Sequence, residues 1–160
     1  MSIDIFELAT QAGRALQASG LMLATAESCT GGGVACAITD IAGSSGWFDS
    51  GFVTYSNAAK TAMLDVPPAL IARFGAVSEE VAAAMAAGAL ANSGATVALS
   101  TTGIAGPGGA VPGKPVGTVC FAWSRAGVTH TERLVLTGDR QAVREQSVAH
   151  ALQGLLRCIE

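Results

Sequence analysis

A hydroxyl and a thiol stand side by side in the segment 25–33, which reads TAESCTGGG. The segment follows the apolar run 21–24 and precedes the apolar run 34–38, a pattern typical of a turn between a strand and a helix. Backbone N–H groups at such a turn lack intrahelical partners, so they can hold an anion or the oxyanion of an acyl transfer. Ser28 and Cys29 are therefore both candidate nucleophiles.

The residues around this pair fit the same kind of site. Glu27 and Thr30 flank it, and Gly31 and Gly32 let the backbone approach a ligand closely. We predict that N–H groups of the turn from Thr30 to Gly32 hold a developing oxyanion. A purely structural alternative is equally open, in which Ser28 or Thr30 is only the N-cap of the following helix.

A serine nucleophile needs a base, and histidine fits that role poorly here. The chain has only His130, in a predicted strand, and His150, on the predicted last helix, so a Ser-His-Asp triad is not indicated. Lys60 can serve if burial lowers its pKa and makes the neutral amine available, with Tyr55 relaying or orienting a proton. The competing interpretation of Lys60 is a solvated surface charge.

The thiol competes with the hydroxyl for the role of nucleophile. The positive end of a helix would lower the pKa of Cys29 and activate it. Against that role, small buried cysteines are common, and no histidine lies near it in the sequence. Spacing alone leaves both nucleophiles open.

A second segment rich in glycine follows the predicted strand 96–100. It covers 101–109, reads TTGIAGPGG and predicts a loop, although a hinge or a plain turn would look the same. The segment 114–118 then leads into another strand. Arg140 stands at the start of the last helix, which Asp139 is placed to cap. A cation there suggests a salt bridge or an anionic ligand, and a solvated arginine is the alternative.

The composition describes a single close-packed domain. Of 160 residues 50% are hydrophobic and 13% charged, and the net charge is −3 without a Lys/Arg cluster. Nucleic-acid binding through a basic face is therefore not expected. Because so little charge covers the surface, we predict a self-association surface and a homo-oligomer, a dimer or larger.

Targeting and metal signals are absent from the sequence. No apolar run reaches the ~20 residues of a membrane helix, and acids stand near the N-terminus where a signal peptide carries bases, so we expect a cytoplasmic protein that binds no membrane. The four cysteines contain no CxxC pair, which predicts reduced thiols and no zinc. We predict no metal and no cofactor.

Helices and strands alternate along most of the chain and a hairpin follows. We predict helices at 3–19 (capped by Ser2), 33–42, 57–64, 68–74, 79–92 and 140–159, and strands at 21–24, within 47–55, and at 96–100, 118–124 and 128–136. The Ala-rich helix 79–92 is expected to pack closely or to form a subunit interface. This order predicts a three-layer α/β/α sandwich with a mixed β-sheet.

Three segments together resemble the CinA C-terminal domain family, in particular its stand-alone nicotinamide mononucleotide amidohydrolases. They are 25–32 (TAESCTGG), 51–57 (GFVTYSN) with Lys60, and 102–109 (TGIAGPGG) with 114–118 (KPVGT). The similarity extends to 75–80 and 138–140 and so covers nearly the whole chain, which we take as one domain, 1–160. Longer members carry an additional N-terminal domain that we do not expect here.

The resemblance implies hydrolysis of the carboxamide of nicotinamide mononucleotide to nicotinate mononucleotide and ammonia, in pyridine nucleotide salvage. It matches Ser28 to the nucleophile, favouring it over Cys29, and Lys60 and Tyr55 to the groups that activate it. Where relatives commonly have Glu, this chain has Ala58, so no acid acts there.

The residues expected to bind substrate surround these three. The resemblance places Thr102 and the loop from Gly103 to Gly109 in the wall of the site, and Arg140 near the phosphate. The full predicted set is Glu27, Thr30, Gly31, Gly32, Thr102, Gly103, Gly106, Gly108 and Arg140. The rival function is a non-catalytic nucleotide-binding or regulatory module, in which Lys60 is a fixed cation; a phosphatase is a third.

Overall fold

A computed structural model of the protein describes residues 4–159. Its helices are α1 (Ile5–Ser19), α2 (Gly33–Thr39), α3 (Asn57–Leu64), α4 (Pro68–Phe74), α5 (Glu79–Ala91) and α6 (Arg140–Ile159). Its strands are β1 (Leu23–Glu27), β2 (Phe48–Val53), β3 (Val97–Gly103), β4 (Thr118–Arg125) and β5 (Val128–Val135), and a short 3₁₀ turn covers Ser44–Gly46. None of the helices in residues 4–159 is long and apolar enough to cross a membrane.

The strands form one mixed sheet in the order β2-β1-β3-β4-β5. Strands β2, β1 and β3 run parallel, whereas β4 and β5 continue the sheet as an antiparallel hairpin. One apolar cluster joins α1, α2 and α6 to the sheet, and the other joins α3 and α5 to it. Helices thus cover both faces, and the predicted three-layer α/β/α sandwich with a mixed sheet is confirmed.

The parallel strands bring the chemically interesting residues to one edge of the sheet. The carboxyl ends of β1, β2 and β3 lie side by side, because Glu27 pairs with both Val53 and Thr101. Ligands of α/β proteins commonly bind in the crevice outside these ends. The chain that continues from these ends carries the predicted nucleophile, base and loop.

Helix α5 packs closely, as its small residues predict. A side chain at Gly88 would place its Cβ atom 1.9 Å from the Leu64 carbonyl oxygen, so only glycine lets α5 approach the end of α3. This contact helps to hold α3, which carries Lys60. A role of α5 in subunit contacts stays a prediction.

Several predicted boundaries were wrong. Strand β1 covers Leu23–Glu27 and not 21–24, because the polar end of the strand pairs with parallel neighbours on both sides. Helix α2 ends at Thr39 and not near 42. Strand β3 extends to Gly103, so the glycine-rich loop begins only after it.

The start of α1 differs as well. Our predicted cap, Ser2, lies outside the described residues, and α1 begins at Ile5. Asp4 caps this helix, since its side chain accepts a hydrogen bond from the Glu7 N–H at 3.0 Å. The predicted cap Asp139 is present and accepts from the Ala142 N–H at 2.9 Å. Ser56 caps α3 in the same way, since it accepts from the Ala59 N–H at 3.0 Å.

Candidate active site

The Lys60 amine lies 3.0 Å from the Ser28 hydroxyl oxygen. The two side chains come from different elements, since Ser28 directly follows β1 and Lys60 lies in the first turn of α3. Lys60 is 1% exposed and Ser28 7% exposed. The structure therefore excludes the interpretation of Lys60 as a solvated surface charge.

Two backbone carbonyls fix the amine in front of Ser28. Lys60 Nζ donates to the Thr54 carbonyl at 3.0 Å and to the Tyr55 carbonyl at 3.1 Å. A carbonyl oxygen only accepts, so both contacts use N–H bonds of the amine. The third position of Nζ faces Ser28: Nζ donates to the Ser28 oxygen at 3.0 Å, and the Ser28 hydroxyl donates to the Tyr55 carbonyl at 3.4 Å. Loss of a proton from the amine leaves its lone pair at this third position, since the other two N–H bonds are held by carbonyls.

Burial also lowers the pKa of Lys60 below its ordinary value of 10.5. Within residues 4–159 no carboxylate makes a salt bridge to it. The neutral form of the amine, which a general base requires, is therefore populated at lower pH than in a solvated lysine.

A cavity of about 220 Å³ opens in front of this pair. Of the predicted site residues, the cavity brings together Ser28, Lys60, Tyr55, Thr102, Gly103 and Arg140, and its wall also contains Cys29, Asn57, Ala76, Val77 and Ala105. The Thr102 hydroxyl donates to the Ala76 carbonyl at 2.8 Å, which joins β3 to the segment between α4 and α5.

The Tyr55 side chain makes no hydrogen bond to Ser28 or Lys60 in the part of the chain that the structure describes. It is 63% exposed, and its hydroxyl accepts a hydrogen bond from Arg140 at 3.3 Å. It is the Tyr55 backbone carbonyl that contacts both Lys60 and, at 3.4 Å, the Ser28 hydroxyl. At this position it is the main chain that holds the Lys60 amine beside Ser28.

Arg140 ties the cavity to the glycine-rich loop. Its guanidinium donates to the Gly106 carbonyl at 2.8 Å, from the first residue of α6. Gly106 is thus a buried anchor of the loop, whereas Gly108 is exposed and does not line the cavity.

The side chains of Glu27 and Thr30 lie behind the turn and do not line the cavity. The buried Glu27 carboxylate accepts from the Thr30 hydroxyl at 2.6 Å, from the Val34 N–H at 2.8 Å and from the Ala35 N–H at 3.1 Å. It satisfies the first N–H groups of α2, a function usually filled by a capping residue. The predicted cap through Ser28 or Thr30 was wrong, and neither Glu27 nor Thr30 presents its side chain to the cavity.

We expect Glu27→Gln to destabilise the fold by about 1–3 kcal/mol, because its amide group would face a backbone donor that the carboxylate now satisfies. Urea denaturation of the two proteins measures this difference. Glu145→Gln is the matched control, since Glu145 is exposed and bonds only Gln141, and its effect should stay within about 0.5 kcal/mol. Equal losses in both variants would contradict the capping role of Glu27.

The turn after Ser28 leaves some backbone donors free. Gly31 and Gly33 donate to the carbonyls of Ser28 and Thr30 at 3.0 and 2.9 Å. The N–H groups of Cys29, Thr30 and Gly32, by contrast, have no protein acceptor in the part of the chain that the structure describes. Such groups are suited to hold an oxyanion.

Burial raises the pKa of the Cys29 thiol to about 12. At neutral pH the group is a protonated thiol, which is a poor nucleophile. The structure therefore favours Ser28 over Cys29.

We accordingly expect iodoacetamide at neutral pH to leave Cys29 unmodified in the folded protein. Cys36 is exposed and supplies the internal control, since it should be alkylated under the same conditions. Peptide mass spectrometry distinguishes the two positions. Alkylation of Cys29 as fast as that of Cys36 would contradict the assignment.

Sequence reasoning missed Arg144. Its Nε donates to the Cys29 carbonyl at 3.1 Å, and its terminal nitrogen donates to the Thr30 carbonyl at 3.2 Å. The available signal was its position on α6, one turn after Arg140, which puts both arginines on the same face of the helix. No group of three or more metal-ligating side chains suited to an ion occurs among residues 4–159.

The known proteins that resemble this chain match it over nearly its whole length. The family model of the CinA C-terminal domain matches residues 5–159. The chain is 53% identical over 153 residues to the nicotinamide-nucleotide amidohydrolase PncC of Pseudomonas putida, and the match covers 96% of each protein. It is 54% identical over 153 residues to the protein of the same name from Escherichia coli K12, with 95% of this chain and 93% of that protein covered.

Solved structures agree with the sequence relatives. A CinA superfamily protein from Klebsiella pneumoniae 700603 superposes with a TM-score of 0.95 at 42% identity over 98% of both chains. The competence/damage inducible protein CihA from Agrobacterium tumefaciens superposes with a TM-score of 0.95 at 44% identity over 100% of both chains. With sequence, fold and site motifs in agreement, this chain belongs to the CinA C-terminal domain family.

Proposed function

We propose that the protein hydrolyses the carboxamide of nicotinamide mononucleotide to nicotinate mononucleotide and ammonia, a reaction of pyridine nucleotide salvage. The observation that carries this proposal is the contact of 3.0 Å between Lys60 Nζ and Ser28 Oγ at the wall of a small cavity. Relatives 53% and 54% identical over nearly their whole length are named nicotinamide-nucleotide amidohydrolases, which supports the choice of substrate.

In the first step Ser28 is acylated. The Ser28 proton passes to Lys60 Nζ while Ser28 Oγ forms a bond to the carbonyl carbon of the substrate. The carbonyl oxygen becomes an oxyanion, which the free N–H groups of Cys29 and Thr30 stabilise by an amount typically near ~3–4 kcal/mol per donor. As the intermediate collapses, Lys60 returns the proton to the leaving nitrogen, and ammonia departs.

The surroundings of Lys60 favour the charged form at the moment it is needed. When the amine takes the Ser28 proton, its three N–H bonds face the carbonyls of Thr54 and Tyr55 and the attacking oxygen. No side chain has to move for this. In the second step Lys60 takes a proton from water, the hydroxide cleaves the ester, and the proton returns to Ser28.

The opposite side of the cavity is suited to the rest of the nucleotide. Arg140 stands at its border and places a cation where a phosphate can bind, and Tyr55 adds an exposed ring beside it. Thr102 and Gly103 form part of the cavity wall. We further propose that the protein works in the cytoplasm as a homo-oligomer, which its low content of charge supports.

The test is to incubate the purified protein with nicotinamide mononucleotide in the presence of a chelator and to follow ammonia. The proposal predicts ammonia and nicotinate mononucleotide as the products. Release of inorganic phosphate instead would identify a phosphatase. Thermal stabilisation by the nucleotide without turnover would favour the non-catalytic binding module.

A further inference from the structure

The guanidinium of Arg144 holds the turn that carries the nucleophile. It binds two successive carbonyls of that turn, those of Cys29 and Thr30, at 3.1 and 3.2 Å. It also packs against the turn, because a Cβ atom at Gly31 would lie 3.2 Å from a terminal nitrogen of Arg144. Hydrogen bonds from a cation are roughly twice as strong as neutral ones, so this contact constrains the turn firmly.

These contacts determine where the backbone donors of the turn point. A trans peptide unit is planar, and its C=O and N–H point in opposite directions. When Arg144 fixes the Cys29 carbonyl, it aims the Thr30 N–H away from α6. When Arg144 fixes the Thr30 carbonyl, it aims the Gly31 N–H away from α6 as well. The Gly31 N–H donates to the Ser28 carbonyl at 3.0 Å. The cation also polarises both peptide units, which strengthens their N–H groups as donors.

Arg144 has no direct access to the reacting atoms. It does not line the cavity that contains Ser28 and Lys60, whereas Arg140 does. Two of its nitrogens are already used by the carbonyls of the turn. Arg144 borders a separate cavity of about 590 Å³ together with Arg140, and its hydrogen bonds go to the turn and not into the cavity that contains Ser28.

We propose that Arg144 is a positioning residue of the oxyanion site. It fixes directly the peptide unit that presents the Thr30 N–H, and it fixes the unit that presents the Cys29 N–H indirectly, through the hydrogen bond from the Gly31 N–H to the Ser28 carbonyl. This inference rests on the proposed function to the extent that Ser28 is the nucleophile. It predicts that loss of the guanidinium slows acylation and leaves substrate affinity nearly unchanged.

A fluorophosphonate reagent tests this independently of the natural substrate. Ser28 Oγ forms a bond to phosphorus, the P–F bond breaks, fluoride leaves and the Ser28 proton passes to Lys60; the phosphoryl oxygen then occupies the oxyanion site. We expect Arg144→Ala to slow labelling of Ser28 by about 10²–10³-fold, the usual cost of a lost oxyanion donor. Free guanidinium at a concentration below that which unfolds the protein should restore much of the rate.

Two further variants complete the experiment. Arg144→Lys keeps the charge but reaches one carbonyl at a time. Its Ser28 should therefore be labelled at a rate between those of the wild type and Arg144→Ala. Arg157→Ala removes an arginine from the same helix that bonds only Glu132, and it should label at the wild-type rate. Thermal unfolding of every variant shows which of them fold. If Arg144→Ala does not fold, the labelling rate of Arg144→Lys tests the proposal instead.

The outcomes are distinguishable. With nicotinamide mononucleotide, the inference predicts that Arg144→Ala lowers kcat by the same factor and changes KM less than threefold. Equal labelling of the wild type and Arg144→Ala, absence of rescue by guanidinium, or an unlabelled Ser28 in the wild type would overturn it. If the labelling rates follow the predicted order but the wild type releases no ammonia, the positioning function stands and only the proposed substrate fails.

Discussion

Replacing Ser28 with alanine should lower the release of ammonia from nicotinamide mononucleotide by about 10⁶-fold in kcat, the magnitude typical for removal of a serine nucleophile. The reason is that no other group in the cavity can form the acyl-enzyme. The Cys29 thiol lies beside Ser28, but burial raises its pKa to about 12 and keeps it protonated. Steady-state measurement of ammonia at saturating substrate tests the prediction.

A matched control separates loss of the nucleophile from loss of a buried hydroxyl. Ser147 is fully buried on α6 and donates to the Val143 carbonyl at 2.7 Å, away from the cavity. Ser147→Ala should therefore retain wild-type kcat. Comparable rates for the wild type and Ser28→Ala would remove Ser28 from the mechanism.

Replacing Lys60 with methionine should lower kcat by at least about 10²–10⁴-fold, the usual contribution of a positioned general base. Methionine keeps most of the buried volume, but it leaves Ser28 without a base that can take its proton. In the wild type, kcat/KM should rise with pH through the pKa of Lys60, which lies below 10.5. The residual activity of Lys60→Met should lack this rise.

The same substitution has a consequence for stability. Because the folded state lowers the pKa of Lys60, the unfolded chain binds more protons between the folded pKa and 10.5, and stability rises with pH across that window. Below the folded pKa the cost of charging the buried amine is fully present, and above 10.5 it is gone. Urea denaturation at several pH values should show that the wild type gains stability relative to Lys60→Met as the pH rises through this window. Titration of the buried cysteines Cys29 and Cys120 is common to both proteins and cancels in the difference. An identical pH dependence in both proteins would contradict a lowered pKa.

Much of this arrangement was predictable because it depends on local signals. The strand-turn-helix pattern around Ser28 and the helix predicted at 57–64 placed the turn and α3 correctly. The parallel order of the strands then requires that the turns after β1 and β2 meet at one edge of the sheet. That Lys60 meets Ser28, however, depends on tertiary packing, since lysine at a helix start is usually solvated.

Other features were hidden from the sequence for physical reasons. Glu27 follows an apolar run and looks like part of a loop, yet it ends a central strand, where a buried carboxylate is tolerated only because three donors surround it. Tyr55 contributes its backbone carbonyl, which no sequence pattern reveals. Arg144 acts from a helix more than a hundred residues away from the turn, as the separation of 115 residues from Cys29 shows.

Titration of the Lys60 amine by NMR is the most direct test of the central claim, that a neutral amine serves Ser28. The chain contains only two lysines, Lys60 and Lys114, so labelling with lysine enriched in ¹⁵N and ¹³C gives two side-chain signals. The signal that disappears in Lys60→Met belongs to Lys60. We predict that this signal titrates with a pKa below 10.5. The same titration of folded Ser28→Ala serves as the reference without the serine hydroxyl. A Lys60 amine that stays charged up to 10.5 or beyond would contradict the account.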